Sequence, residues 1–312
     1  MKTLLTGANG LVGCTLEADV RISGKEEVDL RNWDQTYAFF KEHQPTHVIH
    51  TAAKVGGLKA NLSHMGEFFY DNLMINLNVL EAARRVNSQK VISFLSTCVF
   101  PDGLEDPLSE EDIHKGPPHS SNYGYAYAKR MVDIQAKAYN EQYGVEADGS
   151  TLSFGCKFIN IIPTNIYGPN DNFELDNSHV VPALIHKCYL AKRDNTNLHV
   201  WGSGNPLREF IHADDVGDIT QLILERYEGT GSFIVSPGEE ISIRQLVETI
   251  IEVMGFKGRV IFNLNHPDGQ LRKTSDTAKL QNFVPDYKFT PLRKGIKQTV
   301  DWFVKNYEDA RK

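Results

Sequence analysis

The chain has 312 residues, 41% of them hydrophobic and 23% charged, the balance of a globular protein with room for a sizeable core. A net charge of −7 leaves no electrostatic footprint for nucleic acid or an anionic membrane, so an anionic substrate must be held by locally placed Lys and Arg. The cysteines, Cys14, Cys98, Cys156 and Cys188, are scattered without CxxC spacing, which excludes a zinc ribbon or redox pair and predicts reduced thiols in a cytoplasmic enzyme without a metal site.

Taken in order, Thr3-Leu4-Leu5-Thr6 reads as an opening strand, too brief for a secretory segment, and no span of eighteen apolar residues occurs anywhere. Gly7-Ala8-Asn9-Gly10-Leu11-Val12-Gly13 follows at once and predicts a glycine turn leading into a helix. Gly7 permits the tight turn, Gly10 lets backbone approach a pyrophosphate, and Gly13 lets the helix pack on the strand. The helix N-terminus would then offer N–H groups and a positive dipole end to phosphates. A glycine turn of packing value alone is the competing reading.

Ile22 is followed by Ser23, Gly24 and Lys25, not by the acid that usually holds a ribose 2′-OH. A hydroxyl and a cation suit a 2′-phosphate, which favours NADP over NAD. Asp29 either contacts the adenine side or caps the next helix.

Thr46 to Ala53 reads as the fourth strand, with Lys54-Val55-Gly56-Gly57 as a loop at its carboxyl end. Leu73, Leu77 and Leu80 give residues 65–86 a helical period. Val91 to Leu95 is a further apolar strand, stopping at Ser96-Thr97-Cys98. Tyr125 and Lys129, four apart, share one face of the next helix, which runs to Tyr143-Gly144. Residues 145–155 break the rhythm as an inserted surface loop. Lys157 to Ile162 is the next strand, and Pro163-Thr164-Asn165-Ile166 closes it.

His179 precedes a helix that carries Lys187. Residues 201–210, Trp201 to Phe210, read as a turn-rich hairpin containing Arg208, and Asp214 as the N-cap of another helix. From Ile241 onward helix and short strand alternate, with Asp268-Gly269-Gln270 as a loop. The alternation predicts an α/β fold, a doubly wound parallel sheet of Rossmann type with a smaller C-terminal α/β substrate lobe. The expected division is 1–170 plus 209–238 for the nucleotide-binding domain, and 171–208 plus 239–312 for the substrate lobe.

The glycine turn, Ser96, Tyr125-xxx-Lys129 and Pro163-Thr164-Asn165 together resemble the extended short-chain dehydrogenase/reductase superfamily. The segments around Lys54, Cys98, Asn170-Asp171-Asn172-Phe173, His179 and Trp201 narrow the resemblance to its GDP-L-fucose synthase family. The resemblance covers nearly the whole chain. It implies NADP(H) bound by Gly7, Ala8, Asn9, Gly10, Leu11, Val12, Gly13, Lys25, Lys129, Pro163, Thr164, Asn165, Ile166 and His179. It also implies a GDP-sugar substrate, held by Lys187, Trp201, Arg208 and Asp268, and a homodimer built on the helices at 65–86 and 124–142.

The implied chemistry has two parts. Epimerising both carbons beside a 4-ketone needs a base and an acid, which would be Cys98 and His179. Reduction of the ketone needs Tyr125 as proton donor, Lys129 to lower the tyrosine's pKa and hold the nicotinamide ribose, and Ser96 to hydrogen-bond the ketone oxygen. Taken singly, Cys98 reads equally as a small buried core residue, and His179 as a satisfied polar one. An epimerase or dehydratase that recycles its NAD, or a silent NADP-binding scaffold, are the other readings.

Overall fold

The computed structural model describes residues 1–104, 107–144, 155–265, 268 and 271–312. The first apolar runs become β1 (Thr3–Thr6), β2 (Val20–Ile22) and β3 (His47–His50), with helix α1 (Trp33–His43) between the last two. α2 (Leu58–Ser63) and α3 (Met65–Arg85) lead to β4 (Lys90–Phe94), and α4 (Tyr123–Tyr143) leads to β5 (Lys157–Pro163). Then come β6 (Asn165–Tyr167), α5 (Val180–Arg193), β7 (Leu198–Trp201), β8 (Leu207–His212), α6 (Ala213–Arg226) and β9 (Gly231–Val235). β10 (Glu240–Ser242), α7 (Ile243–Met254), β11 (Val260–Asn263), α8 (Ala278–Phe283) and α9 (Leu292–Lys305) complete the order.

Six strands form one parallel sheet in the order β2-β1-β3-β4-β5-β9. The expected doubly wound α/β fold is therefore present. The chain direction across the sheet reverses between β1 and β3, the place where such sheets open a ligand crevice at the strand ends. Side chains alternate between two cores, as a period of two requires. Leu4, Val48 and Val91 face Phe40 of α1, Val79 and Leu80 of α3, and Val132 of α4. Leu5, Ile49 and Ile92 face the other way, onto Val216, Ile219 and Ile223 of α6. A third core joins α5, α7 and α9 through Ile185, Leu246, Ile250, Ile296 and Phe303.

Several expectations are corrected. No α-helix follows the glycine turn. The chain makes one 3-10 turn, Gly13–Thr15, and Leu16 is already extended at φ −109° and ψ 140°. Val20 opens β2 soon after, so too little chain remains for a crossover helix. Residues 28–30 form no strand, which makes β3 the third strand along the chain, not the fourth. The expected hairpin at 201–210 is split between sheets. β7 pairs with β11, while β8 pairs with β10 and β6. The cap of α6 is His212, whose Nδ1 accepts from the Asp214 amide at 3.3 Å; Asp214 sits in the first turn. α1 is capped by Asn32 and not by Asp29. Of the expected insertion, 145–154 lie outside the described residues, as do Gly269 and Gln270.

Candidate active site

The carboxyl ends of β1, β3, β4 and β5 open into one cleft of about 1080 Å³, large for a single small ligand. Its cofactor side begins at the glycine turn. Gly7 has φ +73°, and a Cβ there would meet the Ala52 amide nitrogen at 2.7 Å. A Cβ on Gly13 would stand 2.1 Å from the Gly7 carbonyl oxygen. These glycines are needed because the turn folds back onto itself and onto β3. Asn9, Gly10, Leu11, Val12 and Gly13 line the cleft with Gly7, while the Ala8 side chain is buried in the core behind.

Ser23, Gly24 and Lys25 line the far end. Lys25 extends into solvent and pairs with Glu26 at 3.9 Å. Asp29 is committed elsewhere: its two oxygens accept from Arg31 Nε at 2.9 Å and Nη2 at 2.7 Å, which holds its pKa low. The bidentate pair fixes the carboxylate's orientation at the edge of the cleft. Pro163, Thr164, Asn165 and Ile166 line the opposite wall. Asn165 spends its amide on the Glu209 carbonyl at 2.8 Å, and the buried Thr164 Oγ1 has no partner. A buried hydroxyl without a protein partner is costly, and a polar molecule in the cleft would be one way to satisfy it.

The reaction side centres on the end of β4. The chain leaves the strand at Leu95 and turns through a 3-10 segment, Thr97–Val99, capped by Ser96, whose Oγ accepts from the Cys98 amide at 3.4 Å. One short turn thus places hydroxyl and thiol side by side. α4 brings Tyr125 and Lys129 to the same point. Lys129 Nζ donates to the Phe94 carbonyl at 2.6 Å and lies 6.0 Å from the Tyr125 ring centre. Phe68 of α3 packs edge-on against Tyr125 at 6.3 Å. Ser96, Tyr125, Lys129 and His179 all line the cleft; Cys98 lies just behind the lining.

Burial dominates the electrostatics here. It pushes the Lys129 pKa down to about 8, with the Cys98 charge opposing. It pushes the Tyr125 phenol up, with the Cys98 charge adding to the rise. The expected lowering of the tyrosine by Lys129 is thus not what governs its titration. Burial also raises the Cys98 thiol, against the hydrogen bond from Ser96 and the charges of Lys273 and Lys129. His179 is exposed at the cleft, yet the surrounding walls desolvate it and lower its pKa.

Lys273 was not legible as a site residue. Burial holds it down to about 8, while the charge of Cys98 pulls it up. It sits on an extended segment fastened by Leu207 N to Leu271 O at 2.9 Å and by Leu108 N to Thr274 O at 2.8 Å. These bonds, with those of Arg272 and Thr274 to Glu240 and of Ser275 to Glu209, bring it near the thiol, and a lone Lys after Arg272 carries no sequence signal.

Trp201, Arg208 and Asp268, expected on the substrate side, line the cleft. Lys187 does not line it, but its Nζ rests 4.5 Å from the Trp201 ring centre. Asp268 is tied to Ser203, accepting from its amide at 2.8 Å and its hydroxyl at 2.6 Å. That bond shapes the 202–204 turn beside the cleft.

Residues 3–236 match the NAD dependent epimerase/dehydratase family. A GDP-L-fucose synthase of Dictyostelium discoideum is 46% identical over 321 aligned positions, spanning 99% of this chain and 97% of that one. The GDP-L-fucose synthase of Escherichia coli K12 is 33% identical, over 99% and 98% of the two chains. The crystal structure of a GDP-L-fucose synthetase from Naegleria fowleri bound to NADP superposes with a TM-score of 0.91 at 40% identity, over 99% of this chain and 94% of that one. The chain belongs to the GDP-L-fucose synthase family. Within this family fold, the element-level departures from expectation fall in connections.

Proposed function

We propose that the protein converts GDP-4-dehydro-6-deoxy-D-mannose to GDP-L-fucose, by 3,5-epimerisation followed by NADPH-dependent reduction at C4. The observation that carries this reading is the thiol of Cys98 beside Ser96 at the end of β4, within electrostatic reach of Tyr125 and Lys129. A plain ketoreductase needs the last three residues and has no use for a base at that point.

The 4-ketone acidifies the protons on its two neighbouring carbons. Cys98 as thiolate removes one, and His179 returns a proton from the opposite face. Burial makes each partner stronger in its role: a raised thiol pKa means a stronger base once ionised, and a lowered imidazole pKa a stronger acid once protonated. Bound NADPH supplies the hydride for C4. Ser96 hydrogen-bonds the carbonyl oxygen, and Tyr125, kept protonated by burial, donates its phenolic proton to that oxygen. Lys129, anchored on Phe94, holds the nicotinamide ribose. The glycine turn and the 163–166 wall would hold the dinucleotide, and Lys25 and Ser23 would suit its 2′-phosphate.

On the substrate side, Arg208 and Lys273 balance the diphosphate, and Trp201 with Lys187 offers an apolar face with a cation beside it. We assign 1–170 plus 209–238 to the NADP domain, and 171–208 plus 239–312 to the substrate lobe. No helix among the described residues is long and apolar enough to cross a membrane; the proposed setting is the cytoplasm, as a homodimer.

The deciding experiment is an NADPH-coupled assay with GDP-4-dehydro-6-deoxy-D-mannose, reading product stereochemistry by NMR. Stoichiometric NADPH oxidation with an L-galacto-configured 6-deoxy product is expected. Activity without net NADPH consumption would establish an internally recycling epimerase or dehydratase instead. Cofactor binding without turnover would establish a scaffold.

A further inference from the structure

The connection from β1 to β2 lacks the helix that would give a phosphate turn its dipole and its hydrogen-bond ladder. A single 3-10 turn has no macrodipole of consequence, since that field grows from many aligned peptides. The amides of Cys14, Thr15 and Leu16 are turned inward, to the carbonyls of Gly10, Val12 and Gly13 at 3.0, 3.0 and 3.4 Å. The carbonyls of this short connection also lose the helical partners they would otherwise have.

Arg21, on β2, occupies that gap. Its Nη1 donates to the Leu16 carbonyl at 2.7 Å, and its Nη2 donates to Ala8 at 3.2 Å and Gly13 at 3.1 Å. One guanidinium therefore gathers three carbonyls from both ends of the glycine turn. Among the described residues its partners are peptide oxygens, not carboxylates, so no ion pair there cancels its positive charge. A trans peptide points its C=O and N–H in opposite directions. Pinning the Ala8 carbonyl on the guanidinium turns the Asn9 amide the other way, and Asn9 lines the cleft.

We propose that Arg21 is a positioning residue for the dinucleotide pyrophosphate, replacing the absent helix both as the fastener of the glycine turn and as the positive charge behind it. The proposal rests on the reading of the cleft as an NADPH site. It places no contact between Arg21 and the cofactor: the side chain acts through the turn, from the face opposite to the phosphates.

The test compares the parent protein with Arg21→Gln and Arg21→Lys, titrating NADPH by fluorescence at several ionic strengths and measuring steady-state kinetics. Arg21→Gln is expected to raise Kd and KM for NADPH about tenfold or more, the size of one lost charge-assisted interaction. kcat at saturating NADPH and KM for the GDP-sugar should change little. The salt dependence of Kd should flatten in Arg21→Gln and be retained in Arg21→Lys, a signature that a purely structural loss does not produce. Thermal melts without cofactor identify folded material; where Arg21→Gln does not fold, Arg21→Lys is the deciding variant, and an unchanged NADPH Kd overturns the proposal. So does an Arg21→Gln protein that folds and binds NADPH with the parent's Kd and salt dependence. A parent protein that fails to bind NADPH overturns the cofactor reading itself, a distinct result.

Discussion

At the scale of residues, the proposed chemistry separates two proton-transfer tasks. Tyr125 feels the charge of Cys98, yet in the proposed chemistry only Cys98 removes protons from carbon. Cys98→Ser is therefore expected to cut solvent deuterium entry at C3 and C5 by about 10²-fold or more, the usual worth of a positioned base. Tyr125→Phe should slow reduction while leaving that exchange largely intact. Mass spectrometry of substrate recovered from deuterium oxide reads both; equal loss of the two activities in either variant contradicts the division. The buried lysine gives a pH prediction. Lys129 has its pKa depressed to about 8 in the fold, below its ordinary value. Between those two pH values the unfolded chain binds more protons, so stability of the cofactor-free protein rises as pH increases from about 8 toward 10.5. Below about pH 8 the lysine is charged in both states and the burial penalty is fully present. Lys129→Met should weaken that rise in urea melts taken across the window. Ser96, Tyr125 and Lys129 were readable because strand-end and helix-face positions follow from local periodicity. Lys273 and Arg21 were not, because their partners lie in other elements: one is carried by an extended segment, and the other reaches back across a turn.

At the scale of elements, the long periodic segments appeared as read. The helix expected at 65–86 is α3, and Tyr125 and Lys129 ride on α4 as their spacing required. The failures lie where a connection is decided by length and tertiary partners. Glycine spacing alone suggested a helix after Gly13, but β2 opens at Val20 and leaves no room for one. Counting that interval would have revealed it. The 201–210 turn chemistry likewise said nothing about which strand each arm would pair with, since register is set by remote partners. The glycine turn itself is tightly specified. Gly13→Ala would put a Cβ 2.1 Å from the Gly7 carbonyl oxygen, with backbone and not a flexible side chain in the way. We expect a loss of about 1–3 kcal/mol in stability from such overpacking and a weaker NADPH Kd. Urea unfolding and cofactor titration check this; a variant as stable as the parent would mean that the β1–β2 connection adjusts freely.

At the scale of the whole molecule, two neighbouring helices expose apolar side chains in the monomer. On α3, Tyr70 and Leu77 are exposed, and Phe69 beside them; on α4, Tyr123 and Ile134 are exposed. Residues 70 and 77, and 123, 127 and 134, recur at helical spacing, so each helix presents a stripe and not scattered positions. The two helices pack side by side through their buried faces, with Tyr139 of α4 donating to Glu81 of α3 at 2.7 Å. Their outward stripes therefore form one continuous two-helix surface. A second copy presenting the same surface would close a four-helix bundle by two-fold symmetry, the commonest way for such a face to be covered. The parent should then sediment at about twice the 35.1 kDa of one chain. Leu77→Lys with Ile134→Arg should shift it to the monomer mass, since each puts an unpaired charge at the bundle interface. NADPH affinity should survive, because neither residue lines the cleft. A parent that sediments as a monomer at micromolar concentration, or a double variant that stays dimeric, would contradict this surface as the contact.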